Sequence, residues 1–271
     1  MPLIFFALFA VGALHTGPGP VGPVATVVPM GAFAAVDASD DVPDKRAQVK
    51  ALLDEFAAAL KKRGEADPQA IEHIAALLGE FEKSGPKDRE AIAKALGGAL
   101  AEKRKELGPE QPDERLAVAA ATALGRMGVD GGKQLQKNLE HKNLSDKPRA
   151  RREVILALGN TRFEAGADDL MDLAKNHDAA IQAAAAEALG SFEGADQKLR
   201  KAIFKALFEV IMPVKNTVDG DASDSEARER LNTISTPFLN TLKKVTGHEE
   251  SDLQQWQRWW NHNKNEDWKS A

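Results

Sequence analysis

The sequence contains no cysteine and no tyrosine. Without cysteine the protein has no disulfide bridge, thiolate metal site, cysteine nucleophile or thioether-linked cofactor. Aromatic residues make up only 6% of the 271 residues, yet all four tryptophans lie at the C-terminal end, within "WQRWWNHNKNEDW". A chain poor in large side chains therefore places its largest ones together, and this clustering needs a structural or functional explanation.

Basic residues are also in the minority, with 36 Lys and Arg against 41 Asp and Glu, for a net charge of −5. This balance argues against general affinity for nucleic acid, because proteins that bind it present basic faces. One local basic sequence, "KPRARR" at 147–152, is better explained as the solvated start of a helix. We therefore expect no nucleic acid partner.

The apolar residues are mostly Ala and Leu, which favour helices over strands. From residue 44 onwards, apolar side chains recur with helical spacing. The first stripe is Val49, Leu52, Leu53, Phe56 and Leu60, and Gly64 follows as a stop signal. Asp67 and Pro68 then open a second helix as cap and first-turn proline. Its predicted inward stripe is Ile71, Ile74, Ala75, Leu78 and Phe81.

A third helix begins near Asp88, with Ile92, Leu96 and Leu100 inward. Beyond it an Ala-Leu-Gly motif recurs, with its glycine at Gly125, Gly159 and Gly190. The preceding Leu124, Leu158 and Leu189 form one predicted core column, and weaker copies occur around Gly79 and Gly97. A period of roughly 30 residues with two helices per unit is typical of an α-solenoid, whose stacked helical pairs bury a continuous core. We predict an all-α fold of this kind with a C-terminal capping helix.

The segments "DERLAVAAATALGRMG" and "DAAIQAAAAEALGSFEG" resemble bacterial HEAT repeats of the short type also seen in phycobilisome-lyase-like proteins. The tail "VTGHEESDLQQWQRWWNHN" resembles the end of exported bacterial HEAT-repeat proteins that carry a W-x-x-W-W motif. The resemblance implies a binding scaffold, since HEAT arrays mostly serve that role. It also raises an enzymatic alternative, because bilin lyases and HEAT-like DNA glycosylases use related repeats. The acidic chain, the absence of cysteine and the lack of a recognisable pigment pocket do not support that alternative.

The N-terminal residues differ from the rest of the chain. The apolar run from Leu3 to Leu14 is too short to span a bilayer, which needs roughly 20 residues, but it fits the core of a signal peptide. Cleavage after Ala34 or Ala38 would release the mature chain, although no Lys or Arg precedes the apolar run. We therefore expect export to the periplasm or cell surface. A retained N-terminal membrane anchor is the main alternative, and a misplaced start codon or a buried segment is a further one.

These observations divide the chain into four predicted parts. Residues 1–38 form the signal or hydrophobic segment, and residues 44–212 form the repeat array. Residues 213–226, rich in Pro, Gly and acidic side chains, are predicted to be a surface loop. Residues 227–271 form a helical cap with the tryptophan motif, in which Pro237 is expected to split or kink a helix.

No sequence motif indicates catalysis or a cofactor. "DGDASD" at 219–224 lacks the glycine and glutamate of a calcium loop. The six histidines are scattered, and no His-Glu-x-x-His motif occurs. "GRMGVDGGKQ" lacks the spacing of a phosphate-binding loop. We therefore predict no catalytic residue, no cofactor and no metal.

The tryptophans are the candidate interaction residues: Trp256, Trp259, Trp260 and Trp268. Asp252 is placed to cap their helix. In the favoured interpretation, Trp256 and Trp260 pack near Leu242 and Val245 and close the solenoid, while Trp268 is exposed. In the other, an exposed Trp259 or Trp268 forms a platform for a sugar or peptide.

The leading functional hypothesis is an exported, non-catalytic scaffold that binds a protein or peptide along the solenoid groove. A carbohydrate or cell-wall binding module that uses the tryptophan cluster is the second hypothesis. An enzyme is the third.

Overall fold

The computed structural model describes residues 43–103, 113–250 and 252–268, and every regular element within these ranges is helical. The all-α prediction is thereby confirmed. The predicted signal segment 1–38 lies outside the described residues. No helix in the described part of the chain is long and apolar enough to cross a membrane. The helices are α1 (Ala47–Leu60), α2 (Asp67–Phe81), α3 (Pro86–Ala101), α4 (Arg115–Leu124), α5 (Gly128–Asn138), α6 (Pro148–Asn160), α7 (Ala167–Leu173), α8 (Ala179–Leu189), α9 (Gln197–Gly220), α10 (Ser225–Thr246) and α11 (Leu253–Asn263).

The helices form the two layers of an α-solenoid. In the first layer α2, α4, α6, α8 and α10 pack one against the next. In the second layer α1, α3, α5, α7 and α9 follow one another and pack against the first layer. One hydrophobic core runs between the layers from Val49 in α1 to Trp256 in α11.

The repeated Ala-Leu-Gly motif explains how helices of the first layer approach one another. Its three leucines are fully buried, as predicted. A Cβ atom added to Gly125 would lie 3.1 Å from Cα of Ala157, and one added to Gly159 would lie 2.4 Å from the carbonyl oxygen of Ala188. A side chain at either glycine would therefore hold neighbouring helices apart. The third glycine, Gly190, makes the corresponding close approach to Thr241, so the array continues into α10.

The weaker copies of the motif do not share this role. Gly79 in α2 has no atom of the described residues within 4 Å of its Cβ position, and Gly97 lies in α3, in the second layer, where it faces Gln134. The buried stripe of α2 is also rotated from the predicted one. Ala70, Ile74, Leu77 and Phe81 are buried, whereas the predicted core residue Ala75 is exposed. Among the described helices, α2 is the first of its layer and packs there against α4 alone, so part of its broad apolar sequence stays exposed.

The first turn of α2 also differs from the prediction. Ala66 occupies the N-cap position, so Asp67 is the first helical residue rather than the cap. Pro68 does lie in the first turn, where its missing N–H costs no helical hydrogen bond.

The predicted loop 213–226 is wrong in extent. Helix α9 continues through Pro213 to Gly220, and α10 begins at Ser225 and continues through Pro237. Only residues 221–224 connect the two helices. An interior proline costs a helix about 3 kcal/mol or more. Here the burial of apolar side chains on both helices offsets that cost: Ile211, Val214, Ile234 and Phe238.

Two aspartates join the residues at the start of α1 to the first turn of α3. Asp44 Oδ1 accepts hydrogen bonds from the backbone N–H groups of Lys87 and Asp88 in the first turn of α3, at 2.9 and 3.2 Å. In return, the Asp88 carboxylate accepts from the backbone N–H groups of Lys45 and Arg46, at 2.9 and 3.0 Å, beside the start of α1. Each carboxylate satisfies donors at the start of the other helix.

Candidate functional site

The four tryptophans gather around one phenylalanine of α9. The ring of Phe204, itself fully buried, lies 5.8 Å from Trp256, 5.7 Å from Trp259, 4.6 Å from Trp260 and 6.1 Å from Trp268. Pairs of aromatic rings at such separations attract one another beyond the effect of burial alone. The ring contacts of this aromatic cluster therefore join α11 to α9. The predicted packing near Leu242 and Val245 stays a prediction, and both residues belong to the same buried core as Trp256.

The tail helix forms as the sequence predicts. Asp252 Oδ1 accepts a hydrogen bond from the Gln254 backbone N–H at 2.8 Å and caps α11. Trp256 is fully buried, as expected, and its indole N–H donates to the carbonyl of Glu250 at 2.9 Å. Trp259 and Trp260 are partly buried.

The expected exposure of Trp268 is wrong, since only 8% of this residue is accessible. After α11 the chain turns back, and the Trp268 backbone N–H donates to Gln197 Oε1 at 3.2 Å. Its indole N–H donates to the carbonyl of Asn263 at 2.9 Å, and Lys201 Nζ lies 5.5 Å from the ring centre. The polar stretch before Trp268 is therefore a short connection between two parts of one aromatic cluster.

The aromatic cluster offers few open ring faces. One face of Trp259 stacks on His248 with 5.1 Å between ring centres and 11° between ring planes. Trp260 stacks on Phe204 with its ring plane 14° from that of the phenylalanine. His248 is held in turn by Glu250, with 2.9 Å between Nε2 and Oε1. The arrangement thus uses the indoles mainly to pack the tail.

A groove opens between α5 and α7 in the second layer, with a volume of about 690 Å³. Helix α7 has only seven residues, and the contact with α5 runs largely through the 3-10 turn Glu164–Gly166. Gln136 Nε2 bridges the gap by donating to Asp169 Oδ2 at 2.6 Å and to the Ala165 carbonyl at 3.1 Å. The last turns of α5 and α7 therefore stay apart, and the space between them forms the α5–α7 groove.

Most residues that line the α5–α7 groove are polar or charged. The α5 wall comprises Gln136, Lys137, Leu139, Glu140, His141 and Lys142, and the α7 wall comprises Asp169, Asp172, Leu173 and Asn176. Leu139 and Leu173 are buried and supply the apolar part of the lining. The groove is thus lined mainly by charged and polar side chains.

The groups with shifted pKa values lie away from this groove. The hydrogen bond from Arg46 holds the pKa of Glu80 below its ordinary value. Hydrogen bonds from the Ser223 hydroxyl and backbone N–H lower the pKa of Asp221 in the turn before α10. Both carboxylates hold local structure together. Across the three described ranges, no group of three or more His, Asp or Glu side chains is placed to hold a metal ion.

Sequence reasoning did not identify the α5–α7 groove. The usable signal was the short apolar pattern "ADDLMDL", which has only two helical turns between Gly166 and Lys175. A helix shorter than its neighbours leaves part of the adjacent helix uncovered. The length of α5, in contrast, could not be read from a sequence that begins "GVDGG".

Comparison with known proteins agrees with the fold. A family model described as HEAT repeats matches residues 133–207, which span the second half of α5 to the first half of α9. The α5–α7 groove lies wholly within the matched segment. Searches of curated proteins and of solved structures gave no match. Over these residues the chain is similar to HEAT repeats, a family that is usually non-catalytic and commonly serves as a scaffold for protein interactions, and the all-helical two-layer fold agrees with that similarity.

Proposed function

We propose that the protein is an exported, non-catalytic scaffold that binds a protein or peptide in the α5–α7 groove. One observation carries this proposal: the groove coincides with the segment that matches HEAT repeats, residues 133–207. The glycine contacts of the first layer fix successive helices of that layer, and the second-layer helices pack against them. A binding surface on such a support needs little reorganisation, which lowers the cost of association.

Export rests on the N-terminal sequence. The apolar run at 3–14 and the small residues around Ala34 and Ala38 have the order of a signal peptide. Mature protein from the native host should begin at Ala35 or Ser39 when sequenced from its N-terminus. An intact Met1 or Pro2 on protein outside the membrane fraction would reject export, and full-length protein held in the membrane would indicate an anchor.

The carbohydrate-binding alternative has less support. A sugar platform needs an open aromatic face, whereas Trp256 and Trp268 are buried. Trp259 and Trp260 each stack one face on a neighbouring ring. Soluble wall glycans should therefore leave the emission of the four tryptophans unchanged.

A displayed library of random peptides, selected on the mature protein, tests the binding function. Selected peptides should lose binding to E140W, because an indole at this exposed position fills part of the groove and removes no side-chain hydrogen bond seen among the described residues. N232W, on the exposed face of α10, is the matched control and should bind as the unmodified protein does. Failure to select any peptide, or equal loss in both variants, would contradict the proposal.

A further inference from the structure

The two walls of the α5–α7 groove carry opposite charges. Lys137 and Lys142 lie on the α5 wall, where Glu140 offsets one of them. Asp169 and Asp172 lie on the α7 wall, which has no basic lining residue. The α5 wall is therefore net positive and the α7 wall net negative.

Much of this charge is available to a ligand. Within the described residues, the side chains of Lys137, Glu140 and Lys142 form no hydrogen bond or ion pair. Asp169 uses one carboxylate oxygen to accept from Gln136, which leaves the other oxygen without a hydrogen bond in the same ranges. In the described part of the chain Asp172 pairs with Lys175 alone, three residues along, and its side chain is 77% exposed. Such an exposed pair is weak and yields readily to another cation.

An extended peptide directs successive side chains to opposite sides. In a groove with one basic and one acidic wall, acidic side chains would face α5 and basic side chains would face α7. We infer that the α5–α7 groove holds an extended partner segment in which acidic and basic residues alternate. This inference rests on the proposed scaffold function and specifies the chemistry of its partner.

Two labelled peptides of the same composition test this pattern. Each has about eight residues, one with strictly alternating Glu and Lys and the other with the order Glu-Glu-Lys-Lys repeated. Fluorescence polarisation should show the alternating peptide binding about tenfold more tightly, since only this order presents each charge to a single wall. Molar salt should remove the difference, because it screens exposed charges. Equal affinity of the two peptides, or binding of neither, would overturn the inference.

Charge reversal then locates the interaction. K137E/K142E makes both walls acidic, and D169K/D172K makes both basic. Either change should weaken the alternating peptide about tenfold. The quadruple variant exchanges the two walls and should restore affinity to within about threefold, because the peptide can bind turned over. K94E, on the exposed surface of α3, is the control and should have no effect.

The outcomes separate this inference from the broader function. Restoration of affinity in the quadruple variant requires opposed walls, and a variant that had merely misfolded would not regain binding. The library selection can yield peptides that lose binding to E140W but lack alternating charge. That result would support the scaffold function and overturn the inference about alternating charge. A library that yields no binder at all would overturn both.

Discussion

At the scale of single residues, small side chains decide how closely the helices of the first layer approach. The contact between Gly159 and Ala188 leaves no room for a methyl group, whereas no described atom lies within 4 Å of the Cβ position of Gly79. The two glycines look alike in the sequence, since each follows a leucine in an apolar helix. Their difference arises from their neighbours in the fold.

The substitution Gly159→Ala should therefore destabilise the protein, by about 1–3 kcal/mol, because α6 and α8 must move apart. Gly79→Ala should stabilise it by about 0.5–1 kcal/mol, because alanine favours an exposed helical position. Chemical denaturation followed by circular dichroism measures both values. Equal effects of the two substitutions would contradict the close packing at Gly159.

The ion pair of Arg46 and Glu80, 2.5 Å long, should make stability depend on pH. The pKa of Glu80 is lower in the folded protein than its ordinary value of 4.5. The ionised carboxylate therefore stabilises the fold fully at pH values above 4.5. That contribution disappears as the pH falls through the lower, folded-state pKa. Glu80→Gln should therefore be less stable than the unmodified protein at pH 7, and the gap should close in strongly acidic solution.

Glu82 provides the control for this titration. It is exposed and forms no ion pair within the described ranges. The stability of Glu82→Gln should follow that of the unmodified protein across the same pH series. A constant difference between Glu80→Gln and the unmodified protein, from pH 7 down to pH 2, would exclude a role for the charge.

At the scale of elements, features that depend on local sequence patterns could be predicted, and features that depend on contacts between distant residues could not. The spacing of Ile92, Leu96 and Leu100 placed the buried face of α3 correctly, because each helix buries one stripe. The fate of Pro213 and Pro237 depended on packing between α9 and α10, which no local window contains. The position of Trp268 depended on the chain folding back onto Gln197, about 70 residues away in sequence.

The aromatic cluster gives the tail its own spectroscopic test. Phe204→Ala removes the ring that all four indoles contact and should cost about 3–5 kcal/mol. The tail should then loosen, and tryptophan emission should shift to the red and become open to acrylamide quenching. In the unmodified protein the emission should be blue and largely protected, with Trp259 and Trp260 the more accessible.

Phe56→Ala in α1 is a matched control, since this phenylalanine is also buried but lies among the helices at the start of the array. It should cost a similar free energy and leave the emission of the folded protein unchanged. A red shift in Phe56→Ala, or none in Phe204→Ala, would show that the tail does not depend on Phe204.

At the scale of the whole molecule, the repeat could be predicted from the sequence and the α5–α7 groove could not. Leu124, Leu158 and Leu189 lie in one core column because each stands at the same position of its repeat and is buried between the two layers. The α5–α7 groove exists because one repeat departs from that regularity with a helix of seven residues. Repetition makes the core predictable, and a local departure from it, such as the short helix α7, is clear only in the structure.

Hydrogen exchange of the mature protein, with and without a selected peptide, tests the central claim most directly. The peptide should slow exchange at residues 136–142 and 169–176, the two walls of the α5–α7 groove, and leave α10 and α11 unchanged. The same peptide should give no such protection in E140W. Protection confined to the outer face of α10 or to the aromatic cluster, with none at the groove walls, would contradict the account.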